Sequence, residues 1–284
     1  MTVFQKELEE ICFKKFEPDS KIGIFASVAP DGYPHLALIS SILAKDKQNL
    51  MWGQFSRGLS KTYLKDNPKN GFLVVSADQY WWTGKALHTG ETAKGEDFEH
   101  FNDKPMFRYN SYFGIGAVHY EKIIDVSAGQ KLPIPQIAVG ALKAKYAAAF
   151  SSKNPSDNKL PSFGKKLAAR LTCLKFISYI DKDGYPRILP ALQCAPVDGG
   201  KLVFSLSAYP ELINDIPKGA KTAVFLASLD LTNLLLQGIW EGVSTVGGVK
   251  VGVFTVDKVY NSMIPIGRYI YPETKLKGVF TAEN

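Results

Sequence analysis

The sequence predicts a mainly β fold, with two β-barrels in tandem and helices flanking each barrel. Turn-forming residues are frequent, with 24 Gly and 16 Pro among 284 residues, and short apolar runs of strand length lie between them. One order of strands and helices occurs twice along the chain. The length also suits two domains of ordinary size.

The first unit opens with a segment of helical periodicity. Residues 1–16 carry Phe4, Leu8, Ile11 and Phe16 at helical spacing, which predicts an amphipathic helix packed on a sheet. Its acidic residues are the opposite of the basic start of a secretory signal. We therefore expect a helix here and no signal peptide.

A series of strands follows, separated by turn signals. Asp31-Gly32 is a strong hairpin signal, and a short predicted helix over 59–65 separates the third strand from the fourth. The predicted strands of this unit cover 21–29, 35–43, 50–55, 71–77, 80–91 and 117–126. This order is typical of a small antiparallel barrel.

The second unit repeats the first at an offset of 152 residues. The tetrapeptide at 31–34 recurs at 183–186, and Leu50 and Gly90 match Leu202 and Gly242 without any gap between them. Apolar strands stay in phase over the whole distance. A predicted Ala-rich helix over 137–150 and a polar linker over 151–162 lie between the repeats. We predict one domain over 1–150 and a second, degenerate one over 151–284.

Composition excludes several classes of protein. The net charge of +7 and the pI near 9.1 suit a phosphate-bearing ligand, but the cations form no dense block and do not alternate with aromatics, so nucleic-acid binding is not expected. Three cysteines without CxxC spacing indicate reduced, packed thiols. No apolar run approaches the roughly 18 residues of a membrane span. We expect a cytoplasmic protein that does not bind membranes.

The segment 54–68, QFSRGLSKTYLKDNP, carries the strongest functional signal. Ser56, Arg57, Ser60 and Lys61 gather where a strand gives way to a helix. Backbone N–H groups and the helix dipole favour an anion at such a position, and a phosphate would suit it. The alternative is a solvated turn with an ordinary serine cap.

Three features together resemble the pyridoxamine 5'-phosphate oxidase-like group of FMN-binding split barrels. They are the strand-DG-x-P-strand opening, the segment 54–68 and the GFLVV strand that follows it. The resemblance covers most of 21–126 and, more weakly, 171–260. It implies two tandem split β-barrels of the FMN-binding type, with FMN as the cofactor.

The resemblance also implies which residues bind the flavin. Ser56, Arg57, Ser60 and Lys61 would take its phosphate. The residues expected to line the flavin are those of the second predicted strand, His35, Leu36, Ala37, Leu38, Ile39 and Ser40. Two positions depart from the family pattern, because Lys61 lies one place late and Ser40 replaces a basic residue.

The second unit should not hold a phosphate. Its counterpart of the basic turn, residues 208–213, has no cation and gains the carboxylate of Glu211. Relatives with one barrel pair around the flavin, so this chain would form the pair internally and bind one flavin. Gln237 and Trp240 are then candidates to face the ring from the second barrel, and Trp82 from the first. The alternative for the tryptophans is core packing.

The function implied is that of an FMN-dependent oxidoreductase. Electrons would pass between a reduced nicotinamide such as NAD(P)H, or a deazaflavin, and an unidentified small substrate. No catalytic acid or base is identified, and four scattered histidines give no metal site. A flavin- or haem-binding protein, with or without haem degradation, and a cofactorless interaction module are the alternatives. Dimerisation beyond the internal pair stays open.

Overall fold

Two antiparallel β-sheets, of nine and eight strands, make up most of the structure, and they confirm the mainly β fold class. The structure is a computed structural model. It describes residues 3–55, 58–104, 114–151, 159–197, 200–228, 232–261 and 268–272.

The first sheet follows the order β3-β2-β6-β7-β8-β5-β4, with β1 beside β8 and β9 beside β7. Its strands are β1 Phe4–Gln5, β2 Ile22–Val28, β3 Pro34–Leu38, β4 Leu43–Ala44, β5 Asn49–Gln54, β6 Lys69–Val75, β7 Tyr80–Thr92, β8 Ala117–Ser127 and β9 Gln130–Lys131. Its helices are α1 Glu10–Phe16, α2 Leu59–Asp66 and α3 Glu96–Asp103.

The first sheet curls around its own apolar core. Strands β2 and β5 are separated by three strands in the sheet, yet the rings of Phe25 and Trp52 lie 5.5 Å apart between centroids. Contact between such distant strands requires strong curvature. Helix α1 adds Cys12 and Phe16 to the same core. The apolar alternation of the strands therefore fills the inside of a barrel.

The second sheet has the corresponding order, β11-β10-β14-β15-β16-β13-β12, with β17 beside β16. Its strands are β10 Leu174–Ile180, β11 Pro186–Pro190, β12 Cys194–Val197, β13 Lys201–Ser205, β14 Lys221–Ala227, β15 Asn233–Val246, β16 Val249–Asn261 and β17 Arg268–Tyr271. Its helices are α4 Ile134–Phe150, α5 Ser162–Ala169 and α6 Pro210–Asn214.

The strand pairing preserves the sequence repeat residue by residue. Ile24 pairs with Leu38 in the first sheet, and Phe176 pairs with Pro190 in the second. Each residue of the second pair lies 152 positions after its counterpart. Because one slip of register would turn every side chain to the other face, the shared register means that the repeat holds in three dimensions.

The two sheets pack against each other through an apolar cluster. Ile24 and Leu73 of the first sheet share it with Phe225 and Leu235 of the second. Lysines flank it in matching positions: Lys69 Nζ donates to the Asp183 carbonyl at 2.6 Å, and Lys221 Nζ donates to the Asp31 carbonyl at 2.5 Å. These pairs are related by the same offset, as in a two-fold interface between identical subunits.

The N-terminus differs from the prediction of one helix over 1–16. Residues 4–5 form β1 instead, where Phe4 pairs with Ser127, and α1 begins only at Glu10. Phe4 and Ile11 are 37% and 44% exposed, so they are not core residues. The predicted second strand also ends early, at Leu38, before the chain crosses to β4. Backbone pairing with β8 outweighs the weak helical preference of these first residues.

Helix α4 lies within the predicted first domain but packs on the second barrel. Its Ala144 and Ala147 contact Ala195 and Val203. The division of the chain near residue 150 stays a prediction. Among the described helices, none is both long enough and apolar enough to cross a membrane.

Candidate functional site

Two adjoining cavities lie where β3, β5 and α2 of the first barrel meet. The smaller one, here the inner pocket, measures about 140 Å³. It is lined by Ala37, Leu38, Ile39, Ser40, Ser41, Trp52, Gly53, Gln54, Phe55, Gly58, Ser60 and Lys61. The larger one, here the outer groove, measures about 750 Å³. It is lined by Gln54, Gly58, Lys61, Thr62, Lys65, Glu91, Thr92, Ala93, Gly116 and Ala117.

Helix α2 begins at the junction of the two cavities without a side-chain cap. Its N-cap residue is Gly58, in an extended conformation, which has no side chain to accept hydrogen bonds from the first-turn N–H groups. Ser60 is buried and Lys61 half-buried beside them. Burial lowers the pKa of Lys61 to about 8, although the charge of Glu91 opposes the shift. The helix start is therefore electropositive.

A buried carboxylate organises the barrel interior next to these cavities. Glu121 on β8 accepts hydrogen bonds from Trp52 Nε1 at 2.9 Å and from Asn70 Nδ2 at 2.6 Å. Its Oε1 also lies 3.1 Å from His88 Nδ1. Burial disfavours a charged imidazole, but the hydrogen bond and the charge of Glu121 outweigh it and raise the pKa of His88. The Glu121 carboxylate therefore favours the charged form of His88 within the barrel.

His119 connects this interior to the outer groove. It lies two residues before Glu121, on the same face of β8, and its ring stacks on Trp52 at 4.0 Å with an angle of 9° between the planes. Its Nε2 is 2.9 Å from Gln54 Oε1, and its Nδ1 is 3.4 Å from Glu91 Oε2. Both of these partners line the groove.

The pKa values of the two neighbouring histidines are shifted in opposite directions. Burial, followed by the positive charges of His88, Lys61 and Lys65, lowers the pKa of His119 to about 3. The two imidazole rings lie 5.4 Å apart between centroids. His119 is therefore neutral, whereas the environment of His88 favours its charged form.

The structure brings six of the predicted flavin-lining residues together. Ala37, Leu38, Ile39, Ser40, Ser60 and Lys61 all line the inner pocket. The end of β3 and the start of α2 meet there, as the sequence predicts. Ser56 and Arg57 lie outside the described residues.

Other predicted residues lie elsewhere. Trp82 is in the first barrel's core, where its ring contacts Phe16 edge-on at 5.4 Å. Trp240 is in the second barrel's core, and Leu36 is in the apolar cluster between the sheets. For these three, core packing places the side chain away from both cavities, which corrects the predicted position.

His35 and Gln237 meet in a separate cluster between the barrels. The His35 ring lies 5.3 Å from Tyr63 and 5.0 Å from Tyr260 between centroids. Gln237 Oε1 accepts from the hydroxyl of Tyr269 at 3.0 Å, and Gln237 Nε2 donates to the first carbonyl of β3 at 2.9 Å. Burial lowers the pKa of His35 to about 4. The second barrel thus contacts β3, but not at the inner pocket.

Sequence reasoning missed Gln54, Glu91, His119 and Glu121 as site residues. They come from three different strands, and only the pairing of β8 with β5 and β7 brings them together. The available signal was alternation on β8, where His119 and Glu121 occupy inward positions that strands usually fill with apolar residues.

Comparisons with known proteins give only distant matches. No family model matches the chain, and no curated protein does. An FMN-binding protein from Syntrophomonas wolfei matches 43% of this chain and 84% of its own, at 14% identity and a TM-score of 0.38. HupZ from Group A Streptococcus matches 44% and 98%, at 13% identity and a TM-score of 0.36. General stress protein 26 from Bacillus anthracis matches 43% and 97%, at 15% identity and a TM-score of 0.34.

Proposed function

We propose that the first barrel binds one FMN and that the protein is an FMN-dependent oxidoreductase. The observation that carries this proposal is the inner pocket, where the apolar end of β3 faces the uncapped, lysine-bearing start of α2. An apolar surface beside an anion site is what a phosphorylated aromatic cofactor requires.

The residues present fit such a group. The first-turn N–H groups of α2, Ser60 and Lys61 are suited to a phosphate, because they supply donors and positive charge at one point. Ala37 and Ile39 supply an apolar wall for a ring. The inner pocket alone is small, but it shares Gln54, Gly58 and Lys61 with the groove, and their joint size is that of a cofactor site.

The second barrel supports a count of one cofactor per chain. The counterpart of Lys61 is Ile213, which is buried in the second core. Helix α4 covers the corresponding surface: a Cβ at Gly140 would lie 2.7 Å from Gln193 Cβ and 3.3 Å from Ser207 Cβ. These two residues are the counterparts of Ser41 and Phe55, which line the inner pocket.

The cofactor, when bound, supplies the redox chemistry. The chain's own contribution is to bind the phosphate at α2, to orient the ring along β3 and to shield one ring face with apolar side chains. The electron donor we propose is a reduced nicotinamide or a deazaflavin, and the acceptor is a small substrate.

The haem alternative has less support from the site. An axial ligand would have to face the cavity, and no histidine is among the described residues that line the inner pocket or the groove. His35 and His119 are both 2% exposed. A visible spectrum of the purified protein separates flavin, haem and cofactorless states.

Lysine 61 provides the direct test of the proposed site. Lys61→Ala should weaken FMN binding about 10- to 100-fold, because a hydrogen bond to a charged group contributes roughly 1.5–3 kcal/mol. Titration of apoprotein with FMN, followed by fluorescence, measures the change. The control is Lys143→Ala, which removes an equal charge from the exposed side of α4.

Two results would reject the proposal. One is a colourless protein that takes up no FMN, and the other is an FMN affinity that is the same in both lysine variants. The oxidoreductase activity itself is then tested by adding NADH, NADPH or a reduced deazaflavin and recording reduction of the bound flavin by stopped-flow absorbance.

A further inference from the structure

The outer groove has two chemically different walls. Lys61 and Lys65 lie one turn apart on α2, so they present ammonium donors on one side. Gln54 at the end of β5 and Glu91 on β7 belong to the strand side. A carboxylate only accepts hydrogen bonds and an ammonium only donates them. The groove therefore suits a ligand with an anionic end and a part that carries donors.

His119 lies directly behind the strand wall. Its side chain is 2% exposed, and its Nε2 is 2.9 Å from Gln54 Oε1. Its Nδ1 makes no hydrogen bond within the described part of the chain, and Glu91 Oε2 is 3.4 Å away. Because Nε2 faces an amide oxygen, it carries the single N–H of the neutral ring and donates it to Gln54, so Nδ1 can only accept and forms no hydrogen bond with the Glu91 carboxylate. His119 therefore fixes Gln54, and the Glu91 side chain, which is 48% exposed, is left to face the groove.

The second barrel lacks this device. The counterparts of Gln54, Glu91 and His119 are Leu206, Val243 and Gly252. Gly252 and Val243 pair across the strands as His119 and Glu91 do. The barrel architecture therefore does not require a histidine at this position, and the polar wall belongs to the first barrel.

We propose that His119 is a positioning residue that holds Gln54, and that Gln54 and Glu91 together bind the hydroxyl groups of a polyol chain. The phosphate of the same ligand lies at Lys61 and Lys65. This inference rests on the proposed function and specifies it, because the ribityl phosphate of FMN has both parts. A cationic ligand is disfavoured, since two lysines face one carboxylate in the groove.

The test compares three flavins that differ only in the side chain. FMN carries the ribityl chain and the phosphate, riboflavin carries the ribityl chain alone, and lumiflavin carries neither. In the wild-type protein, riboflavin should bind about 5- to 10-fold more tightly than lumiflavin, as one net hydrogen bond or slightly more would give. In Glu91→Ala and in His119→Phe, this ratio should fall to about one, with lumiflavin affinity unchanged.

The variants separate positioning from folding. Phenylalanine keeps a ring to stack on Trp52 and removes both nitrogens, whereas Glu91→Ala alters only a half-exposed side chain. If His119→Phe does not fold, Gln54→Ala, which removes the side chain that His119 holds, takes its place in the test. The control Lys65→Ala should weaken FMN binding and leave the riboflavin-to-lumiflavin ratio as in the wild type.

The outcomes also distinguish this inference from the function on which it rests. Failure of all three flavins to bind would overturn both. Normal FMN binding, with the wild-type ratio of riboflavin to lumiflavin affinity retained in Glu91→Ala, would overturn the role of the polar wall alone. A ratio lost in Glu91→Ala but kept in a folded His119→Phe would overturn the positioning role of His119.

Discussion

The interiors of the two barrels differ at matched positions, although their strands share one order and one register. In the first barrel these positions form the network around the Glu121 carboxylate, and in the second they are largely apolar. The matched pairs are Trp52 and Phe204, Asn70 and Thr222, His88 and Trp240, His119 and Gly252, and Glu121 and Phe254.

The exchange at the histidine positions is a coupled one. In the second barrel the Trp240 indole occupies the space over Gly252, where any Cβ would overlap it. In the first barrel the smaller His88 leaves room for the His119 ring. Both interiors are filled, so packing alone explains neither choice. The polar set in the first barrel therefore indicates a requirement other than folding, and the groove beside it is the nearest candidate.

The largest loss of stability should follow from Glu121→Phe, which places a residue of the apolar second core in the polar interior of the first barrel. Glu121→Phe leaves the buried donors of Trp52 and Asn70 without their acceptor and removes the hydrogen-bond partner of His88. Each buried donor without an acceptor costs about 1–3 kcal/mol. Urea unfolding, followed by tryptophan fluorescence, measures the loss.

The matched control transplants the whole set of counterparts. Its substitutions are Trp52→Phe, Asn70→Thr, His88→Trp, His119→Gly and Glu121→Phe. Because these residues pack together in the second barrel, the transplant should be more stable than Glu121→Phe alone while losing ligand binding. A transplant less stable than the single variant would show that the two interiors are not interchangeable.

A smaller effect should follow at the helix that covers the second barrel. Gly140→Val places side-chain atoms against Gln193 and Ser207, where a Cβ alone would already lie 2.7 Å and 3.3 Å from their Cβ atoms. Overpacking of this kind costs about 1–3 kcal/mol. Thermal unfolding should show the loss. Gly58→Ala is the control at the uncovered site, because a Cβ there meets nothing within 4 Å. Equal stability of Gly140→Val and wild type would mean that α4 does not sit tightly on this surface.

The fold could be predicted because its turn signals lie within short segments and occur in both halves of the chain. The hairpin signal at Asp31-Gly32 and its repeat at Asp183-Gly184 fix the phase of two sheets, and both glycines have positive φ, of 79° and 82°. The N-terminal strand could not be found in this way. Its two residues, Phe4 and Gln5, form a strand only because they pair with β8. Such pairing leaves no periodic signal in so short a segment.

The site was predictable only where it is contiguous in sequence. The end of β3 and the start of α2 are single stretches, and the structure brings both to the inner pocket. His88 lies about thirty residues before His119 and Glu121, and the pairing of β7 with β8, which brings them together, contains β-bulges. Register across a bulge cannot be counted from the sequence. The resemblance to one-barrel relatives also suggested that Trp240 faces the flavin. Trp240 instead fills the space over Gly252 in the second core, and because Gly252 lies on another strand, the sequence does not show this contact.

The smallest expected effect is a loss of stability at acidic pH, which should be greater in the first barrel than in the second. All four histidines of the chain precede residue 152, and the pKa values of His35 and His119 are lowered by burial to about 4 and about 3. Below their ordinary pKa of about 6.5, the unfolded chain binds protons that the folded barrel does not. Stability of the first barrel should therefore fall as the pH drops from about 6.5, by at most about 2 kcal/mol per histidine at pH 5.

His88 acts in the opposite direction, because its raised pKa stabilises the folded state below about 6.5 and this contribution is lost as the pH rises through the folded pKa. Two buried neutral rings outweigh one charged ring, so the net effect of acid is destabilising. Amide hydrogen exchange, corrected for intrinsic rates, should show β5 and β8 losing more protection than β13 and β16 between pH 7 and pH 5. In His119→Phe this difference should shrink, since one of the two neutral rings is gone. Equal loss in both sheets would mean that carboxylates, which both barrels carry, and not the buried histidines, set the acid response.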